Sequence, residues 1–247
     1  MATYKSTKGF TVEVLSGDPT VEDAVGLLYY NSTADAFRYV TPGGVSAATW
    51  SSGGALNVAV ANSGGAGTQT AALNFGGVPG VATSESYNGS SWTEGNDLNT
   101  GRSELAGSGS QTAAIASGGL PNTAATEEYG GTSWTNGGGL NTARRRGGMA
   151  GNSSAALFFG GFPGYTADCE LYDGTSWTEV NNLNDGRANV GSAGTSTAAV
   201  CISGAGEPVT VNVETWNGTS WTEINNVNRA RSNGGRGGTA STALFFG

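Results

Sequence analysis

Histidine does not occur in this chain of 247 residues. A copper site built on imidazole ligands or a histidine general base is therefore excluded, and no cofactor is expected. Cysteine is scarce as well: Cys169 and Cys201 are the only two, and they fall at different places in the repeat described below. That argues against a disulfide framework or a metal cluster and for two buried small apolar side chains. Lys and Arg number 11 against 19 Asp and Glu, a net charge of -8. Nucleic acid is not an expected partner, because phosphate neutralisation needs a basic stripe, and "RRRGG" (144–148) and "RGG" (236–238) resemble RNA-binding tracts only superficially. No apolar run of 18 residues exists, and the opening "MATYKSTKGF" has no apolar signal core. Neither membrane insertion nor classical export is expected.

Glycine, by contrast, is abundant: 43 residues, where ordinary usage would give roughly 17. Long helices are excluded, and without a triplet period so is collagen. One phrase recurs: "YNGSSWTE" (87–94), "YGGTSWTN" (129–136), "YDGTSWTE" (172–179) and "WNGTSWTE" (216–223). Trp50, Trp92, Trp134, Trp177 and Trp221 follow one another at 42, 42, 43 and 44 residues, the length of one propeller blade. A "TAALxFGG"-like run ends 25 residues after each, at Phe75, Ser117, Phe159, Ile202 and Phe246.

Four strands fit each unit. The first (a) is Gly-rich, as in "RSELAGSG", which suits crowding around an axis. The second (b) is the "QTAALNFGG" type. The third (c) ends in Tyr87, Tyr129, Tyr172 or Trp216, and the fourth (d) carries the anchor Trp. Asn88-Gly89, Gly130-Gly131, Asp173-Gly174 and Asn217-Gly218 then form the corner between c and d, expected as two-residue type I′ turns. These observations predict an all-β, five-bladed propeller of four-stranded antiparallel blades. The last unit stops after its strand b, so "LLYY" (27–30) or "FRYV" (37–40) together with the Trp50 strand is expected to close the ring by pairing N- and C-terminal strands. Residues 1–45 form a lead-in that closes the ring or attaches it to a particle; residues 46–247 form the propeller.

The paired glycine after a hydrophobic strand, the aromatic and the Trp resemble the kelch repeat, although the period is shorter than the family's. The wording "YNGTSWTEVNNLNTAR" and "GTQTAALxFGG" is similar to kelch-like repeats in predicted tail-fibre and other virion proteins of marine bacteriophages, and "GLLYYNSTADAFRYV" (26–40) resembles their lead-in. The resemblance covers residues 46–247. It implies a non-enzymatic virion structural or fibre component, made in the host cytoplasm without a signal peptide and forming a homo-oligomer in the particle. Other virion proteins or a host-surface glycan or protein would be its partners.

Candidate site residues divide into two sets. Arg102, Arg144, Arg187 and Arg231 each lie ten residues after an anchor Trp, with Val60 in that place in the first unit. They form either an anion-binding ring or, with Glu85, Glu127, Glu170 and Glu214 two residues before each strand c aromatic, structural ion pairs. All length variation, meanwhile, lies in the loops from b to c, which share a face with the connections from d to a. That face carries Pro121, Phe162, Pro163, Tyr165 and Pro208 as binding candidates. No catalytic or metal-binding residue is assigned. Glu94, Glu179 and Glu223 recur near blade ends as scaffold residues would. Two alternatives remain: a glycan-binding or glycan-cleaving, sialidase-like propeller, since "DGTSW" resembles an Asp-box one residue short, and a kelch-like intracellular adaptor.

Overall fold

A computed structural model describes residues 52–247 and, ahead of them, residues 4–5, 11–15, 28–33 and 36–39. The chain divides into two units, Met1–Ser52 and Gly53–Gly247. In the first, Tyr4–Lys5 (β1), Thr11–Leu15 (β2), Leu28–Asn31 (β3) and Ala36–Tyr39 (β4) form one sheet in that order. Its central pair, β2 with β3, is parallel; the outer pairs are antiparallel.

In the second unit the repeats become antiparallel sheets whose strands follow chain order. They comprise Gly64–Thr68, Ala71–Phe75, Ser84–Tyr87 and Trp92–Glu94 (β5 to β8), then Ala106–Ser110, Ala113–Ser117, Thr126–Tyr129 and Trp134–Asn136 (β9 to β12). Gly148–Asn152, Ala155–Phe159, Cys169–Tyr172 and Trp177–Val180 (β13 to β16) form the third, and Gly191–Thr195, Ala198–Gly204, Thr210–Trp216 and Trp221–Ile224 (β17 to β20) the fourth. Strands β5, β9, β13, β17 and the later β21 (Gly235–Gly237) neighbour one another in turn as the innermost strands. The architecture is a β-propeller.

Among the described residues four blades are complete, not the expected five. The fifth repeat supplies only β21 and Leu244–Phe246 (β22), a separate two-stranded sheet. The segments expected to finish it are engaged elsewhere: β3 and β4 pair with each other in the sheet of the first unit. Trp50 lies outside the described residues. The expectation counted anchor tryptophans, but a Trp marks one strand, and a blade exists only where four strands share a hydrogen-bond ladder.

The core lies between blades as a series of interfaces. Phe75 at the end of β6 meets Trp134 of the next blade edge to face at 4.8 Å, and Phe159 at the end of β14 meets Trp221 in the same way at 5.0 Å. Where Ser117 takes the Phe place, the indole of Trp177 instead donates to Thr126 Oγ1 at 3.0 Å. The paired glycines create a second link. The Gly77, Gly119 and Gly161 amides donate at 2.8 to 3.0 Å to the carbonyls of Arg102, Arg144 and Arg187 in the following blade. The preceding glycine must be bare: a Cβ on Gly160 (φ 66°) would stand 2.4 Å from the Arg187 carbonyl oxygen.

The corner between c and d is a four-residue loop, not the expected two-residue turn, because Tyr87 pairs with Trp92 and Tyr172 with Trp177. Among the dipeptide positions only the second is left-handed, with φ between 90° and 96° at Gly89, Gly131, Gly174 and Gly218. The first residue acts through its side chain, as Asp173 Oδ1 accepts from the amides of Thr175 (2.8 Å) and Ser176 (2.9 Å). A type I′ turn would need positive φ at both central positions, so the Asx hydrogen bonds replace that conformation. Replacing Gly174 by Val should destabilise the fold by about 1 kcal/mol or more, since a β-branched residue resists positive φ. A chemical denaturation midpoint equal to that of the parent protein would contradict this.

The Asp173 carboxyl is also a pH reporter. The amide of Ser176, then the hydroxyl and amide of Thr175, hold it at about 2 against an ordinary 3.8. Depression by the folded state means that its stabilisation is complete above the ordinary value and is lost as pH falls toward about 2. Thermal melting between these limits should lose part of its acid sensitivity in Asp173→Asn, which keeps an acceptor that does not titrate. An unchanged pH profile would exclude the assignment.

Candidate functional site

Three of the arginines ten residues after a Trp, Arg102, Arg144 and Arg187, enter the second unit as buried connectors. Arg144 Nη2 lies 2.7 Å from Glu170 Oε1, Arg187 Nη2 2.7 Å from Glu214 Oε1, and Arg102 Nη2 3.2 Å from Glu127 Oε1, with both partners at most 1% exposed in every pair. The same carboxylates fix the chain entering the blade: Glu170 accepts from the Asn141 amide at 2.6 Å and Glu214 from that of Asn184 at 2.8 Å. In the first blade, where Val60 replaces the arginine, Glu85 accepts from Asn57 N and Nδ2 and from Val58 N. Burial lowers the guanidinium pKa of Arg102 and Arg144, and Glu127 and Glu170 push it back up. Arg231 is half-buried, and its backbone exchanges hydrogen bonds with the Ser203 hydroxyl. Glu94, Glu179 and Glu223 stand exposed on the outermost strands, opposite Glu85, Glu170 and Glu214.

The loops from b to c and the connections from d to a do share a face. Single bridges join Ala61 to Val78, Ser103 to Leu120, Arg145 to Phe162 and Ala188 to Ala205. Pro121, Pro163 and Pro208 are exposed there, while Phe162 and Tyr165 are half-buried. The rings of Phe162 and Tyr165 meet at 6.0 Å, and the Arg145 guanidinium lies 4.8 Å from the Phe162 centroid. Arg145 also donates to Asn122 Oδ1 at 3.0 Å, beside Pro121. Phe162, Pro163 and Tyr165 thus belong to one cluster, and Pro208 stands in the separate loop between β18 and β19.

The mouth of the axis carries no single repeated residue type. Asn62, Glu104, Arg146, Asn189 and Asn233, each twelve residues after an anchor Trp, all have φ between 52° and 60°. Their backbones form a chain: the amides of Glu104, Arg146, Asn189 and Asn233 donate to the carbonyls of Asn62, Glu104, Arg146 and Asn189, respectively. Left-handed conformation is tolerated by Asn but costly for Glu and Arg, and such outliers gather at functional positions. The five side chains line a cleft of about 590 Å3. The recurring spacing was the available signal; the mixed identities concealed it.

Both thiols are buried. Desolvation raises Cys169 to about 12 and Cys201 to about 11. Among the described residues no cluster of three potential metal ligands exists, and no helix is long and apolar enough to cross a membrane.

No protein-family model matches the chain, and no curated protein does. Among solved structures, one titled "Structure of YjhT" is similar with a TM-score of 0.61 at 12% identity, over 73% of this chain and 70% of that one. Likeness at that identity concerns the fold.

Proposed function

We propose that the chain is a non-enzymatic attachment module of a bacteriophage virion, a fibre or structural component with kelch-like repeats that holds a host-surface glycan or protein, or a neighbouring virion protein, through its loop face. The observation that carries this reading is the cluster of Phe162, Tyr165 and Arg145: two aromatic rings and a cation presented together on that face. Such groups dominate recognition surfaces because they offer large contact area at low entropic cost. The loops around them vary in length, while the joints beneath keep one design. The phage assignment is supported by the wording of the repeat, and the non-enzymatic one by the exposed, regularly repeated Glu94, Glu179 and Glu223.

Particles carrying Phe162→Ser together with Tyr165→Ser should adsorb to host cells about tenfold more weakly or worse, as central aromatic anchors cost about 2 kcal/mol or more when removed. The purified variant should melt almost like the parent, since both residues are only half-buried. Undiminished adsorption, or absence of the protein from purified particles by mass spectrometry, would count against the reading.

A further inference from the structure

The axial cleft is lined by side chains other than those of the loop cluster, and Arg145, which lies against Phe162 and pairs with Glu104, joins the two. Glu104 stands between two guanidiniums, with Arg145 Nε 2.8 Å from Oε2 and Arg146 Nη2 2.6 Å from Oε1, which leaves this trio one positive charge. Arg236 lines both the cleft and a smaller space of about 180 Å3 that shares Gly65, Ala66 and Gly67 with it, and its Nη1 donates to the Val190 carbonyl at 3.1 Å. Among the described residues Glu104 is the one acid that lines either space. In a chain of net charge -8 the mouth of the axis is therefore locally cationic. Around these charges stand Asn62, Asn189 and Asn233, whose amides both donate and accept, and the half-buried Trp92 forms part of the wall.

Each feature selects for a property of the ligand. Guanidinium groups with spare N–H donors fit a carboxylate or sulfate oxygen pair. A group of carboxamides suits vicinal hydroxyls, and an indole accepts the apolar face of a pyranose. The cavity falls within the roughly 300–1,000 Å3 range of small-ligand sites, room for a short oligosaccharide. We propose that the axial cleft binds an acidic saccharide, with Arg146 and Arg236 holding its carboxylate or sulfate and Asn62, Asn189 and Asn233 its hydroxyls. This deepens the attachment reading by naming a ligand class and rests on it, but it uses side chains other than Phe162 and Tyr165.

The test is calorimetry on the full chain with a hyaluronan hexasaccharide, a heparin-derived hexasaccharide, the neutral chitohexaose and sodium sulfate alone. At least one acidic hexasaccharide should bind about tenfold or more tightly than chitohexaose and sulfate, and its affinity should fall as salt rises. The tighter of the two acidic probes identifies the acid. Arg236→Gln and Arg146→Gln should each weaken binding by about tenfold or more, whereas Arg229→Gln should leave it unchanged. Melting curves show that the variants are folded, and Arg236→Lys, which keeps the charge, should retain part of the affinity. Failure of both acidic probes to bind, equal binding of chitohexaose or of sulfate alone, or full affinity in folded Arg236→Gln would overturn the proposal. Saccharide binding that persists in a Tyr165→Ser protein, whether or not host adsorption persists, separates the fate of this site from that of the loop cluster, because Tyr165 does not line the cleft.

Discussion

Replacing Glu170 by Ala is expected to destabilise the propeller by about 3–5 kcal/mol, the cost of leaving a buried charge without its partner. Arg144 is fully buried, and Glu170 is the acid within reach of its guanidinium, at 2.7 Å. The same change removes the acceptor of the Asn141 amide and side chain, so a backbone donor loses its partner along with the cation. Urea denaturation should show the midpoint fall steeply. Replacing both Arg144 and Glu170 by Met should recover much of the loss, because the penalty belongs to the uncompensated charge and not to missing attraction. Glu85→Ala, with no arginine opposite, should cost less, about 1–3 kcal/mol for unsatisfied donors. A Glu170→Ala protein within about 1 kcal/mol of the parent would show that solvent reaches the pair.

Phe159→Ala should be comparably damaging, about 3–5 kcal/mol for a large aromatic removed from a packed site. Its side chain has no exposure and lies against Trp221 of the fourth blade, in a cluster that also holds Leu157, Cys169, Leu183 and Val190. The void would open between two blades, not within one. Unfolding should therefore lose cooperativity as well as stability, with the tryptophan signal of the fourth blade changing before the loss of overall strand structure. A single sharp transition, shifted by less than about 1 kcal/mol, would show that neighbouring blades close over the gap.

The repeat unit could be read from the chain because its determinants are periodic in residue type. Trp134, Trp177 and Trp221 mark the outer strands, and the paired glycines mark the passage of one blade under the next. Blade number was misread from the same marks: Trp50 counted as a blade, although strand pairing decides that, and β3 and β4 pair with each other. The loop at Asp173-Gly174 was placed correctly but given the wrong conformation, because a side-chain acceptor can replace a left-handed residue and composition does not distinguish the two. The axial residues stayed hidden for the opposite reason. There the backbone conformation is constant while the side chain changes from Asn to Glu to Arg, so no residue type repeats. Of the loop cluster, Phe162, Pro163 and Tyr165 were legible; Arg145, which lies against Phe162, looked like part of a basic tract.

Synthesis of such a chain on the ribosome proceeds one latch at a time. Arg187 and its carboxylate partner are 27 residues apart in sequence, an interval that takes roughly 1–5 s to translate. Until Glu214 emerges, the arginine that receives the Gly161 amide has no counter-charge, and the third blade's edge remains open to other nascent chains. Growth therefore runs with a fixed polarity, each sheet waiting for its successor before it is sealed. Codon choices that slow elongation within one repeat should prolong that exposure, whereas a pause just after a strand c glutamate should be harmless.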